Sequence, residues 1–198
     1  MTGEPQRSAV QYPGGLAARY RWGGSAQAEA IFGLSESGGV LVDHGPLVAP
    51  DPDRLCRAEL RVEGPGGTWT ARFASPIFDA PQGMLWDTAG VLVVKYGFAV
   101  YALNPRTGEL RWMFTSGAPL LAVLGSSRLP HVIAQSEVDT VALRANGEVA
   151  WRAAHSDVVV EADLVGGRLI LTSYDGDLQT LDPLSGQPLP APAPIPRT

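Results

Sequence analysis

Cysteine is almost missing: Cys56 stands alone in 198 residues, so no intramolecular disulfide and no paired-cysteine metal site can form. A lone thiol fits a reducing compartment, and the expected setting is cytoplasmic. No run approaches the length of apolar chain needed to cross a bilayer, and the first residues lack a basic stretch followed by an apolar one, so neither a membrane span nor a secretory leader is expected. Basic residues are also scarce. The 15 Lys and Arg are scattered and the formal net charge is −5, which excludes the clustered cationic surface that nucleic acid demands. The three histidines, His44, His131 and His155, show no metal-ligand spacing, so neither a metal nor any other cofactor is expected. Asp51 and Asp53 superficially suggest a calcium loop, but Pro52 lies between them and no later oxygen ligands follow at the required spacing.

What the chain has instead is turns. Glycine (23) and proline (17) are spread between short apolar runs, and apolar residues make up 45% of the whole. Breakers at this density are incompatible with long helices and fit many short strands. The strands repeat. Turn glycines Gly108, Gly147 and Gly186 fall 39 residues apart each time, a period suited to one four-stranded blade of a propeller. Trp112 and Trp151 follow the first two turns, and Gly67 with Trp69 marks a degenerate earlier copy. First strands are expected near 30–34, 84–87, 120–124 and 158–164, where short apolar runs are bounded by Gly, Ser or Pro.

The segment Ala102-Leu103-Asn104-Pro105-Arg106-Thr107-Gly108-Glu109-Leu110-Arg111-Trp112 resembles the repeat of the pyrroloquinoline-quinone (PQQ) enzymes, A-x-D-x-x-T-G-x-x-x-W, with Asn at the Asp position. Ala142 to Trp151 matches with one residue fewer, while Thr180 to Leu189 keeps Asp182 and Gly186 but lacks the tryptophan. The resemblance implies a propeller in which the third and fourth strands of each blade meet at this turn and the tryptophan docks on a neighbouring blade. It does not carry the quinone. The dehydrogenases place adjacent cysteines over that cofactor, and one cysteine cannot form the pair. Extracellular assembly scaffolds with similar repeats carry a signal peptide, which is not evident here.

The expected fold is therefore all-β, a small propeller of four-stranded antiparallel blades. Residues 1–15 are expected to be flexible, 16–187 to form one propeller domain, and 188–198 to be a proline-rich tail. Blades fall at about 28–73, 84–114, 120–153 and 158–184. The strand 16–22, with Trp22, is expected to complete the last blade and close the ring, because alternate prolines from Pro188 on cannot donate to a ladder. Five blades, a dimer that completes an open arc, and a two-sheet sandwich are the alternatives.

Propeller ligands sit at one mouth of the ring, on hairpin tips. Here the tips carry Asp43, His44, Lys95, Tyr96, Tyr174 and Asp175, with Tyr96 and Tyr174 equivalent when counted from the turns and Ser136 in the same place. The first hairpin is lengthened by an insertion, 44–55, that includes Asp51 and Asp53. Wet hairpin tips are polar in any case. Glu161 and Asp163 alternate along one strand and form a further acidic pair. Without a nucleophile, metal or phosphate constellation, the expected function is a non-enzymatic scaffold that binds a protein partner. The alternative is a carbohydrate or cation site at the channel mouth.

Overall fold

The computed structural model describes residues 4–27, 40–44 and 54–190. The expected first strand near 30–34, and Asp51 and Asp53 of the inserted loop, lie outside them. The chain falls into two compact units, Met1–Gly117 and Ala118–Thr198. Among the described residues the regular structure is strand save for short 3-10 turns, and no helix is long and apolar enough to cross a membrane.

The first unit holds two sheets. One is a meander of β1 (Gln6–Tyr12), β2 (Leu16–Gly23), β4 (Cys56–Gly64) and β5 (Gly67–Ser75), with β3 (Val40–Asp43) added in parallel to the far side of β5. The other has β6 (Gln82–Trp86), β7 (Val91–Tyr96), β8 (Ala99–Leu103) and β9 (Leu110–Thr115) in sequential antiparallel order. The second unit repeats that order in β10 (Leu120–Leu124), β11 (His131–Ser136), β12 (Asp139–Arg144) and β13 (Val149–Ala154). It then forms a three-stranded sheet from β14 (Val159–Val165), β15 (Arg168–Ser173) and β16 (Leu178–Leu181). These are propeller blades.

Burial explains the patterning. Central strands β7 and β11 are buried at every position, so VLVVKY and HVIAQS read as continuous runs rather than alternations. Outer strands β9 and β13 alternate, with one face wet. In both, a register shift sets one extra residue just before the tryptophan: Leu103 pairs Leu110 but Ala102 pairs Trp112, and Leu143 pairs Val149 but Ala142 pairs Trp151. A bulge of this kind re-aims the side chain that follows it.

The repeat turn is capped as its residue types require. Asn104 Oδ1 accepts from the Arg106 amide at 2.9 Å, and Asp182 Oδ1 accepts from the Leu184 amide at 2.9 Å. Gly108 and Gly186 sit at φ +74° and +71°. Each lies beneath an indole from the preceding sheet: a Cβ on Gly108 would be 2.5 Å from Trp69 Cε3, and one on Gly186 would be 2.4 Å from Trp151 Cε3. The docking that the resemblance implied is present at both places, and the degenerate copy around Trp69 belongs to the series.

Three expectations fail in the first unit and one at the tail. Residues 6–12 are a strand rather than a flexible end. Residues 16–22 do not complete the last blade, because β2 is paired on both sides, with β1 and with β4. The cause is the Pro13-Gly14-Gly15 turn, whose glycines take φ +79° and +75° and fold β1 back on β2. Arg19 and Arg21 then meet Glu63 and Glu59 across the ladder at 3.3 and 3.0 Å. The blade expected at 28–73 departs from its siblings as well, since β3 runs parallel to β5 instead of antiparallel to β4. At the other end, the tail begins as a rudimentary fourth strand: Leu181 bridges Pro188, and the Leu189 amide donates to Thr180 O at 2.8 Å.

Candidate binding face

The expected hairpin residues separate into two groups. Lys95 and Tyr96 are not rim residues. Lys95 is 4% exposed, and its ammonium donates to both oxygens of Asp79, at 2.7 and 2.9 Å, while the Gly97 amide donates to the same carboxylate at 2.6 Å. This is a buried staple that pins the β7–β8 hairpin to the preceding connection. Tyr96 is buried beside Phe73, with ring centroids 6.4 Å apart, and burial pushes its phenol pKa up. His44 also serves packing: its ring lies 5.8 Å from Phe73 and 6.0 Å from Tyr101, and its Nε2–H donates to Gly108 O at 3.2 Å. Asp43 closes β3 next to it.

Tyr174 and Asp175 are exposed, Tyr174 at 79%. The equivalence between Tyr96 and Tyr174 is therefore corrected. The β7–β8 hairpin closes on the pair Tyr96–Ala99 around two residues, whereas β15–β16 closes on Ser173, whose amide donates to Asp177 O, around three. One added residue puts Ser173 at the position of Tyr96 and swings Tyr174 into the turn. Ser136 does stand where Tyr96 stands, with its hydroxyl donating to the Asp139 carboxylate across its own turn.

In the second unit, hairpin tips and strand connections gather at one end. The His155 amide donates to Val138 O, Val159 to Glu137 O and Tyr174 to Val158 O. Between them lies a cavity of about 330 Å³ whose polar lining comes from His155, Ser156, Asp157, Ser173, Asp177 and Gln179. No Lys or Arg lines it. Leu178, at its edge, is 69% exposed.

A hydrogen-bonded chain runs from the core of β11 and β12 to this cavity. The Gln135 amide donates to Ser136 O at 2.7 Å and to Asp139 O at 3.3 Å, which turns its Oε1 toward Thr140. The Thr140 hydroxyl donates there at 2.6 Å and so accepts from His155 Nε2–H at 2.7 Å. His155 Nδ1 lies 3.1 Å from Gln179 Oε1. That orientation suits the doubly protonated ring; the neutral ring needs the Gln179 amide turned over. Burial lowers the His155 pKa, opposed by the Gln179 hydrogen bond and the Asp139 charge.

His131 is buried and donates Nε2–H to Pro183 O at 2.7 Å. The pair Glu161 and Asp163 does share the exposed face of β14, with Ala162 buried between them. Among the described residues no three His, Cys, Asp or Glu side chains gather as metal ligands would. The chain of residues 135, 140, 155 and 179 was invisible in the sequence, because its members come from three strands and one connection with no fixed spacing.

Residues 97–189 match the family model described as outer membrane protein assembly factor BamB. No curated protein sequence matches the chain. Among solved structures, BamB from Moraxella catarrhalis is similar at 24% identity and TM-score 0.42, covering 52% of this chain and 34% of that one. The computationally designed Ika8 protein aligns at 12% identity and TM-score 0.51, covering 68% and 45%. A HIRA fragment aligns at 13% and 0.49, covering 92% and 51%. The chain thus spans between 34% and 51% of the length of these three.

Proposed function

We propose that this chain, whose residues 97–189 match a PQQ-like propeller repeat family, is a non-enzymatic scaffold that holds a protein partner at the cavity end of its second unit. One observation carries the reading. The β15–β16 hairpin projects Tyr174 and Leu178, at 79% and 69% exposure, beside a polar recess. An exposed tyrosine next to a pocket is a common anchor of protein interfaces, and Leu178 adds apolar area beside it. Asp175 and Asp177 flank them and favour a basic partner surface. The family description names an assembly factor, which agrees with a role in holding rather than converting.

The experiment is affinity capture from cells with the wild type and a Tyr174→Ala/Asp175→Ala variant. A partner retained by the first and lost by the second supports the reading; equal recovery overturns it. The inserted loop 44–55, with Asp51 and Asp53, stays within the proposal as a second contact, tested by deleting residues 45–53. The proposed setting is cytoplasmic, where the buried thiol of Cys56 stays reduced. The proposed state is a monomer, checked by light scattering against the chain mass of 20.9 kDa, with a dimer as the alternative.

The cavity itself favours a second reading, a carbohydrate-class ligand hydrogen-bonded by Ser173, Asp177 and Gln179. It predicts a thermal shift with simple sugars that disappears in Asp177→Ala.

A further inference from the structure

Among the described residues the last sheet is one strand short of its siblings: β6–β9 and β10–β13 have four strands and β14–β16 has three, followed by a bridge from Leu181 to Pro188. The alternation of the ladder shows which backbone groups are vacant. Ser173 N–H bonds Asp177 O, so the next pair, Thr172 with Leu178, is one whose amides and carbonyls point away from each other. Thr180 points the same way, and its carbonyl already accepts from Leu189. Leu178 N–H and C=O therefore face outward, with no partner among the described residues, under a side chain that is 69% exposed.

The register of the siblings identifies what belongs there. Val100 lies opposite Phe114, and Thr140 opposite Ala153. Carried to the last sheet, Leu178 would face residue 192, which is Pro192 and has no N–H to give to the Leu178 carbonyl. The chain's own tail is thus a poor occupant. The surroundings are acidic: Asp157 and Asp177 line the adjoining cavity and Asp175 sits on the hairpin, with no Lys or Arg in the lining.

We propose that the edge of β16 accepts an extended segment of a partner protein as its fourth strand, antiparallel, with an apolar residue over Leu178 and basic residues beside it to meet Asp157 and Asp177. Strand addition uses main-chain hydrogen bonds for affinity and alternate side chains for selectivity. The outward N–H and C=O of Leu178 supply the first and the acidic recess the second.

The probe is a short synthetic peptide of alternating valine and lysine, with a counterpart N-methylated at alternate residues. The wild type should bind the first and not the second, and binding should weaken as salt is raised. Leu178→Pro removes an N–H that β15 does not use, so the β15–β16 ladder survives while affinity falls by about tenfold or more. Leu178→Thr keeps the N–H and should retain most of the binding. Asp157→Asn with Asp177→Asn should weaken binding and flatten the salt dependence. Equal binding of the N-methylated peptide, or no binding at all, overturns the proposal. So does binding that appears only in a chain cut after Pro190, since the tail is then the occupant, or self-association abolished by Leu178→Pro, since a second copy is. The proposal rests on the scaffold reading, but the two fail separately: a cellular partner that depends on Tyr174 and Asp175 yet ignores Leu178→Pro sinks only the edge.

Discussion

Replacing Gly186 by alanine tests the contact that organises each repeat turn. At φ +71° an L-residue pays for its left-handed backbone, about 1–2 kcal/mol. The new Cβ would also lie 2.4 Å from Trp151 Cε3 and 2.9 Å from Cδ2 and Cζ3, so the indole must shift within a packed face, at about 1–3 kcal/mol. The sum, about 2–5 kcal/mol, is a large part of the stability of an ordinary domain. Gly176→Ala is the control, because Gly176 has φ +87° but nothing within 4 Å of a Cβ, and it should lose only the backbone part. Urea unfolding followed by far-ultraviolet circular dichroism gives both numbers. In a Trp151→Leu background, Gly186→Ala should shrink toward the control, since the clash is gone. If Gly186→Ala and Gly176→Ala cost the same, or if the Trp151 background changes nothing, the indole does not bear on the turn as described.

The two docked tryptophans should differ when replaced by phenylalanine. Trp69 Nε1–H donates to Pro105 O at 2.9 Å while Trp151 Nε1 has no partner among the described residues, so Trp69→Phe should cost about 1 kcal/mol more in the same unfolding assay. Lys95→Met should lower stability by about 3–5 kcal/mol, because it leaves the Asp79 carboxylate without its ammonium partner; a loss below about 1 kcal/mol would show the pair to be incidental. His155 should titrate below its ordinary 6.5 when followed by NMR of the ring proton. A lowered folded pKa means the unfolded chain binds more protons, so the contribution of His155 is complete above about pH 6.5 and fades as pH falls toward the folded pKa. His155→Gln should remove that part of the pH dependence, and a midpoint at or above 6.5 would refute the assignment.

Local chemistry was legible wherever one residue type has one use. Asn104 and Asp182 cap turns, Gly108 and Gly186 take positive φ, and Trp151 covers the next turn, all as the pattern implied. The expected β10 coincides with Leu120–Leu124. Failures came where several placements satisfy the same pattern. Residues 16–22 alternate like an outer strand because Ala18, Tyr20 and Trp22 are buried, and that is equally true of a central strand in the first sheet. Pro13-Gly14-Gly15 held the deciding signal, but β1 is exposed almost throughout and has no apolar alternation to announce it. The parallel pairing of β3 left no mark in the sequence. Counting back from a turn glycine assigns Tyr174 to the place of Tyr96 and cannot detect one residue added to the intervening hairpin. The buried polar chain through Thr140 depends on three-dimensional neighbours alone.

Pro105 and Pro183 occupy the same place in two turns, yet one carbonyl is taken by Trp69 and the other by His131. What persists between the two copies is the demand of the carbonyl for a donor, not the donor itself. A sheet is thus free to trade which strand supplies the proton, provided an indole still roofs the glycine. In the last sheet the trade goes further: carried over in register, the tryptophan position holds Pro190, which has neither an indole nor a backbone proton to pass on. That sheet receives a roof and supplies none, so the series has a direction. A lesion at Gly186 is therefore felt backward, at Trp151 in the preceding sheet.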